Sequence, residues 1–262
     1  LVNNAAAPAQ RDDASVRHTT VDGLLNEFQV DVWAYWYLMT RLQPTLARNA
    51  PSSVVNIAST MATKPNLDDV QYEHTPFLSL HAYSAYKAAD RMLTWEAAAR
   101  YNHSGVMYNA VHPGVVAGTT VSGGTFSSIG SMVDSPAHAA ARAADLAQNA
   151  TAFGYTATWW EMSTGRATVS ELKPCGSRKP FSFCDPHLRQ RLWAYVEEVD
   201  AALTTRSDRR LAEAVVHGRR MPARFAKGHA PIPLQLSGQE DSATPTARAT
   251  YEFVEAAARG SH

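Results

Sequence analysis

The segment Val54-Val55-Asn56-Ile57-Ala58-Ser59 is a short β-branched run that ends in polar residues, and this pattern predicts a buried strand. Apolar residues at helical spacing follow from His81 to Tyr101. A second apolar run, Val106 to Val111, stops at Pro113-Gly114 and predicts another strand. A strand, a helix and a strand in this order predict two parallel strands joined by a right-handed crossover.

Further elements are predicted on both sides of this unit from the same spacing rules. They are a strand over residues 1–4, helices over residues 21–48, 135–148 and 186–204, and a strand over residues 155–160. Pro44 is expected to kink or end the first of these helices, because proline has no amide hydrogen to donate. Strands that alternate with helices predict an α/β fold with a doubly wound parallel sheet. In such a sheet the loops after Asn4, Ala58 and Val111 converge beyond the carboxyl ends of the strands, where ligands bind.

Composition excludes several classes of protein. The formal net charge is zero, which gives no overall electrostatic bias toward nucleic acid or an anionic membrane. No run of eighteen apolar residues occurs, so no membrane span is expected, and the first residues do not resemble a signal peptide. Cys175 and Cys184 have no second pair, so free thiols are expected rather than a metal site or a disulfide. These features favour a reducing, cytoplasmic setting.

Three polar residues form the strongest candidate for chemistry. Tyr83 and Lys87 are four residues apart on one predicted helix and therefore lie on the same face. A phenol alone ionises at about pH 10, and a neighbouring ammonium favours the phenolate. Such a phenol can give a proton to a nascent alkoxide or take one from an alcohol. Ser59, at the end of a predicted strand, can hydrogen-bond the same substrate oxygen.

Four segments in this order resemble the short-chain dehydrogenase/reductase family. They are Leu1-Val2-Asn3-Asn4-Ala5, Val55-Asn56-Ile57-Ala58-Ser59, Ala82-Tyr83-Ser84-Ala85-Tyr86-Lys87 and Asn109-Ala110-Val111-His112-Pro113-Gly114-Val115-Val116. The long interval between Ser59 and Tyr83 resembles the retinol-dehydrogenase-like branch. The resemblance implies a partial Rossmann-type doubly wound parallel sheet, with a carboxy-terminal helical tail after it.

The resemblance also implies roles for individual catalytic residues. Ser59 is expected to hold the substrate oxygen, and Tyr83 to be the general acid/base. Lys87 is expected to tune that tyrosine and to bond the nicotinamide ribose. The family's fourth catalytic residue is an asparagine, and Asp31 stands in its place. Asp31 either holds a water beside the lysine or pairs directly with Lys87, since a carboxylate accepts hydrogen bonds but donates none unless protonated.

The nicotinamide site is expected to take residues from the strand ends as well. Asn4 is expected to line the cofactor cleft together with Tyr83 and Lys87. The Pro113-Gly114 turn and Val116 are expected to support the carboxamide. The threonine that usually follows this turn falls at Gly118, which is a further departure from the family pattern.

The family's phosphate-binding glycine motif is absent from these 262 residues, since no Gly-x-x-x-Gly-x-Gly occurs. The amino-terminal nucleotide-binding segment is therefore expected to be missing, together with three strands, and NAD and NADP are not distinguished. Without those strands the edge at Leu1–Asn4 would be open. We expect earlier strands on the native chain, a homo-oligomer or a partner chain to cover it, because unpaired strand edges invite pairing.

Residues 1–204 are therefore predicted to be the catalytic part, and residues 205–262 a basic helical or irregular tail. The tail carries a run of basic residues: Arg206, Arg209, Arg210, Arg219, Arg220, Arg224 and Lys227. A solvated helix face and linker are expected there, with an acidic patch on a neighbouring subunit as the alternative and no nucleic-acid partner. The final residues 259–262 are typical of the start of an expression tag.

The predicted activity is that of an oxidoreductase that interconverts a small apolar carbonyl and an alcohol with NAD or NADP. The alternative is a non-catalytic structural or binding subunit that kept the fold and lost its cofactor half. Trp33, Trp36, Phe77 and Leu78 are candidates for an apolar cleft, or for the core. No Gly-x-Ser-x-Gly, His-x-x-x-His or paired cysteine motif occurs, so neither a hydrolase nor a metal site is predicted.

Overall fold

The computed structural model describes residues 1–7, 14–116, 135–163, 166–170, 183 and 185–216. Several features named above lie outside these residues: both cysteines, Gly118, the final residues 259–262, and the basic residues beyond residue 216. The chain divides into two units, Leu1–Leu203 and Thr204–His262. The assignment of the first as the catalytic part and the second as a tail stays a prediction.

Four parallel strands form the centre of the first unit. They are β1 (Val2–Asn3), β2 (Ser52–Ile57), β3 (Val106–Val111) and β4 (Thr158–Ser163), and their spatial order follows their order along the chain. β5 (Arg166–Ser170) adds to β4 in the antiparallel direction. The predicted parallel sheet is thus confirmed, but the antiparallel β5 was not expected from the sequence. Among the described strands, β1 pairs on one side only, and a cover for its other edge stays a prediction.

Both faces of the sheet are covered, as the doubly wound prediction requires. Successive side chains of a strand point to opposite faces. In β2, Val54 joins the larger core cluster, whereas Val55 and Ile57 join a second cluster with Leu146. Leu146 belongs to α4 (Pro136–Phe153), so α4 covers the second face.

The first face is covered by the remaining helices of this unit. They are α1 (Asn26–Phe28), a π turn (Gln29–Trp33), α2 (Ala34–Arg48) and α3 (Ser79–Arg100). The part of α5 (Pro186–Val216) that precedes residue 204 packs against the same cluster through Leu192, Trp193 and Val196. Trp193 is 1% exposed and meets Trp36 edge to face, with ring centroids 5.9 Å apart. Trp36 and Phe77 therefore belong to the core and not to a cleft.

The helix boundaries differ from the expected ones at several ends. Helical structure begins at Asn26, later than residue 21, and α2 continues through Pro44 to Arg48 without ending. Pro44 is exposed, so its ring does not enter the core. α4 and α5 run beyond residues 148 and 204, to Phe153 and Val216. Among the described residues, no helix is both long enough and apolar enough to cross a bilayer.

Candidate active site

Lys87 is the centre of the candidate site. It lies in the middle of α3, its side chain is 3% exposed, and its ammonium nitrogen is 5.9 Å from the centre of the Tyr83 ring. Tyr83 precedes it by one helical turn and is half-buried. The predicted stacking of these two residues on one helix face is therefore present, with the cation near the face of the phenol ring.

Three oxygen atoms surround the Lys87 ammonium. Lys87 Nζ donates hydrogen bonds to Asp90 Oδ2 at 2.9 Å and to the backbone oxygen of Ile57 at 3.2 Å. Asp31 Oδ1 lies 3.2 Å away and forms an ion pair with it. Of the two arrangements open for Asp31, the structure therefore has the direct pair with Lys87. Asp31 sits in the π turn, where an extra residue per turn changes the direction of side chains and is frequent at functional sites.

Burial controls the ionisation of Lys87 and of the two carboxyls that contact it. It raises the pKa of the Asp90 carboxyl to about 8, although the Lys87 ammonium opposes the rise. Burial likewise raises the pKa of Asp31, against the same opposing charge. For Lys87, burial alone would lower the pKa, but Asp90, Tyr35 and Asp31 raise it well above its usual range.

Tyr35 of α2 completes the surroundings of the ammonium. Its ring centre is 5.3 Å from Lys87 Nζ, and its hydroxyl donates to the backbone oxygen of Ala5 at 3.0 Å. Burial raises the pKa of this phenol, despite the nearby Lys87. Tyr35 therefore acts as a neutral hydrogen-bond donor that ties the chain after β1 to α2.

Ser59 lies in the turn that follows β2. It is 3% exposed, and its Oγ accepts a hydrogen bond from the backbone N–H of Met61 at 3.1 Å. The Lys87 hydrogen bond to the backbone oxygen of Ile57 reaches the same strand two residues earlier. The hydroxyl oxygen keeps a second lone pair and its proton for another partner. Convergence of Ser59 with Tyr83 on one substrate oxygen stays a prediction.

The loops after β2 and β3 meet at the carboxyl edge of the sheet. Thr60 Oγ1 and His112 Nε2 are 3.5 Å apart. Pro113 and Gly114 follow, and Gly114 has a φ of +95°, a conformation that residues with a Cβ rarely adopt. A glycine is thus needed at this turn for a backbone reason.

The other expected cofactor residues lie at the same edge. Asn4 directly follows β1 and is exposed, and Val116 is half-buried. Asn4 is therefore accessible to a ligand, while its role as a cofactor contact stays a prediction. Among the described residues, no group of three or more His, Cys, Asp or Glu side chains could hold a metal ion.

The loop between β2 and α3 is held by two buried side chains. The Asp69 carboxylate accepts hydrogen bonds from the backbone N–H groups of Glu73, His74 and Thr75 and from the Thr75 hydroxyl. Desolvation opposes ionisation, but these hydrogen bonds lower the pKa of Asp69. Hydrogen bonds within the loop that leads into α3 therefore stabilise its conformation.

Gln71 connects this loop to two other parts of the first unit. Its Oε1 accepts from the backbone N–H of Leu25 at 2.9 Å, and its Nε2 donates to the Tyr195 hydroxyl at 2.8 Å. Its backbone oxygen accepts from Arg17 Nε at 2.9 Å. One residue thus joins the chain before α1, the loop before α3, and α5.

Asp90 and Tyr35 were not identified as site residues from the sequence. A signal for Asp90 exists, because it is three residues after Lys87 and so shares its helix face. Such pairs on helices usually lie on the surface, and only the packing of α3 shows that this one is fully buried. Tyr35 carries no comparable local signal.

Comparison with known proteins supports the same family. A family model described as enoyl-(acyl carrier protein) reductase matches residues 1–153, more than half of the chain. Human retinol dehydrogenase 13 is 33% identical over 117 residues, which are 42% of this chain and 35% of that protein. Human dehydrogenase/reductase SDR family member 12 is 29% identical over 116 residues, 44% of this chain and 34% of that protein.

A solved structure shows the same fold. An uncharacterized protein from Mycobacterium paratuberculosis superposes with a TM-score of 0.54 at 20% identity, over 76% of this chain and 65% of that one. The matches to the two curated human relatives span about a third of the length of each. The family match, the parallel sheet with helices on both faces and the Tyr83–Lys87 pair on α3 agree with one another. The chain therefore belongs to the short-chain dehydrogenase/reductase family and resembles its retinol dehydrogenases.

Proposed function

We propose that this chain interconverts a carbonyl and an alcohol through Ser59, Tyr83 and Lys87, with a nicotinamide cofactor. The observation that carries the proposal is the position of the Lys87 ammonium, 5.9 Å from the Tyr83 ring centre and fixed by buried oxygen atoms. A cation so placed stabilises a phenolate, so the tyrosine can exchange a proton with a substrate oxygen.

The polar groups available fit the nicotinamide ribose half of the cofactor. Asn4 offers an amide that both donates and accepts, and Tyr83 a hydroxyl, and ribose hydroxyls bond with both types. The Lys87 ammonium has three N–H donors that face Asp31, Asp90 and Ile57, so it would exchange one of these contacts to bond the ribose. Pro113, Gly114 and Val116 would support the carboxamide. A bound nicotinamide would supply or accept the hydride. The preference between NAD and NADP stays open, since this sequence contains no phosphate-binding glycine motif.

The proton steps can be assigned to side chains of this chain. In the direction of alcohol oxidation, the Tyr83 phenolate takes the hydroxyl proton while Ser59 Oγ–H donates to the same oxygen and orients it. In the reverse direction, the Tyr83 hydroxyl returns the proton to the forming alkoxide. Lys87 stays protonated throughout and stabilises the phenolate electrostatically.

Exposed apolar side chains that are close to Ser59 and Tyr83 in the sequence favour an apolar substrate. Met61, which follows Ser59 by two residues, is 45% exposed. Leu78 and Leu80, at the start of α3, are 37% and 50% exposed. These apolar surfaces suit a small apolar carbonyl or secondary alcohol. A cytoplasmic setting and a homo-oligomer or partner chain over the β1 edge stay predictions.

The test is turnover of a panel of small apolar secondary alcohols with NAD and with NADP. Tyr83→Phe should lower the rate by about 10²–10⁴, the usual effect of removing a general acid/base, and should weaken cofactor binding far less, through the loss of one hydrogen bond to the ribose. Tyr37→Phe is the matched control, because it removes a phenol hydroxyl from a residue whose ring stacks on Trp33 at 4.8 Å. Full activity in Tyr83→Phe would contradict the mechanism.

The second candidate function is a non-catalytic structural or binding subunit. The direct pairing of Lys87 with two carboxylates favours it, because those charges offset the cation on which Tyr83 depends. Fluorescence titration of the wild-type chain with NADH and with NADPH separates the two candidates. If the chain neither binds these nucleotides nor turns over an alcohol, the second candidate is supported.

A further inference from the structure

We propose that Asp90 is a positioning residue for Lys87 and shares one buried proton with Asp31, so that the charge of this carboxyl pair sets how strongly Lys87 acts on Tyr83. The inference rests on the proposed function in one respect, the role of Lys87 beside Tyr83. The family resemblance assigns no role to Asp90.

The geometry shows how Asp90 holds the lysine. Asp90 follows Lys87 by three residues on α3 and accepts its closest hydrogen bond, at 2.9 Å. Ile57 of β2 and Asp31 of the π turn contact the same ammonium, each at 3.2 Å. The contacts come from a helix, a strand and a second helical segment, so the ammonium is fixed relative to all three.

The charge balance implies a shared proton. Asp31, Lys87 and Asp90 are 1%, 3% and 0% exposed, and together they would carry a net charge of −1 if all were ionised. An uncompensated buried charge is strongly unfavourable, and one proton on the carboxyl pair removes it. The raised pKa values of both carboxyls, about 8 for Asp90, agree with this balance.

Among the described residues, the charged groups that act on Asp31, Lys87 and Asp90 include no second cation that could supply the missing charge. The titratable groups facing Lys87 are Asp31 of the π turn, Tyr35 of α2, and Tyr83 and Asp90 of α3, while Glu27 of α1 faces Asp31. Every one of these groups is neutral or negative. The proton on the carboxyl pair is therefore the charge that keeps the cluster neutral.

The state of this proton changes what Tyr83 experiences. With the proton present, the three side chains sum to zero and the Lys87 cation faces Tyr83 beside one carboxylate. Without it, two carboxylates face one cation and the phenolate becomes harder to form. Alcohol oxidation should therefore respond to the ionisation of Asp90 and Asp31, although neither needs to touch substrate.

The first test measures carboxyl ionisation directly, by carbon-13 NMR titration of aspartate-labelled full-length chain. One carboxyl should titrate near pH 8. Asp90→Asn should abolish that transition. Asp31→Asn should lower the pH of the Asp90 transition by about one unit or more, because this substitution removes the negative charge that raises the pKa of Asp90.

The control is Glu96→Gln, a buried residue on the same helix whose carboxylate pairs with Arg100 at 2.9 Å and not with Lys87. It should leave the transition in place. If every aspartate of the wild-type chain titrates below about pH 5, within the ordinary range, the proposal is overturned. The proposal can be tested even if Asp90→Asn fails to fold, because the titrations of the wild type and of Asp31→Asn are sufficient to confirm or overturn it.

The second test is the pH profile of alcohol oxidation. Asp90→Asn should lower the pH of half-maximal rate, because the variant cannot form the second carboxylate that opposes the phenolate above about pH 8 in the wild type. Glu96→Gln should leave that pH unchanged. An unchanged profile in Asp90→Asn would overturn the link to Tyr83. An inactive wild type with the NMR transition intact would instead count against the proposed function and leave the shared proton standing.

Discussion

Replacement of Lys87 by methionine tests the buried charge cluster through stability. The substitution keeps the length of the side chain and removes the ammonium, which leaves two carboxyls that are 1% and 0% exposed without their cation. Loss of one partner from a buried ion pair costs about 3–5 kcal/mol. We expect a loss of this size in the free energy of unfolding at mildly alkaline pH.

The loss should be smaller in mild acid, because protonated carboxyls can be buried without a cation. The ammonium lowers the pKa of both Asp31 and Asp90, so both values rise when it is removed. The unfolded chain releases these protons near the ordinary value of 3.8. Above that pH the folded variant binds more protons than the unfolded chain, and its stability falls by up to about 1.36 kcal/mol per pH unit for each extra proton.

The assay is urea unfolding followed by tryptophan fluorescence, at about pH 5.5 and about pH 8.5. Lys64→Met is the control, since Lys64 is exposed, and its effect should be small at both pH values. The raised pKa of Lys87 does not affect the comparison of these two pH values. The stability that the raised pKa contributes is lost only above the ordinary lysine pKa of 10.5. An equal loss for Lys87→Met at both pH values would refute the reasoning.

Two further predictions concern the scaffold. Trp193→Ala should lower the free energy of unfolding by about 3–5 kcal/mol in a urea titration, because it empties a 1% exposed position in the main cluster; a loss below about 1 kcal/mol would contradict that packing. Gly105→Ala should lower the midpoint of thermal unfolding more than Gly154→Ala. Both glycines have positive φ, but a Cβ at Gly105 would lie 2.7 Å from Ala50 Cβ, whereas nothing lies within 4 Å of one at Gly154; equal shifts would contradict the clash.

The order of strands and helices could be predicted from the sequence because each has a local signal. The strand Val106–Val111 was predicted with its observed bounds, and α3 begins two residues before the predicted His81. β2 is buried along almost its whole length, as its short β-branched run predicts. What could not be predicted is the partner of each strand. The residues of β5 carry no signal for an antiparallel return beside β4, because strand direction depends on tertiary pairing.

The order of the motifs predicts the catalytic candidates, but it does not predict the charged groups that surround them. Asp31 was identified as a departure from the family, and two arrangements with Lys87 remained open. Asp90 was missed because its burial depends on the packing of α3 against the π turn and β2, which no local pattern encodes. A helical carboxylate three residues from a lysine has the same sequence signature whether it is exposed or buried.

The hydrogen bond from the Leu25 amide to the Gln71 side chain has a consequence for dynamics. Leu25 is 0% exposed, and this amide donates to a side chain of the loop before α3 instead of to a backbone carbonyl. Its hydrogen-exchange rate should therefore report the opening of that loop rather than the fraying of a helix. The same opening would release the Tyr195 hydroxyl, which accepts a hydrogen bond from the other end of the Gln71 side-chain amide.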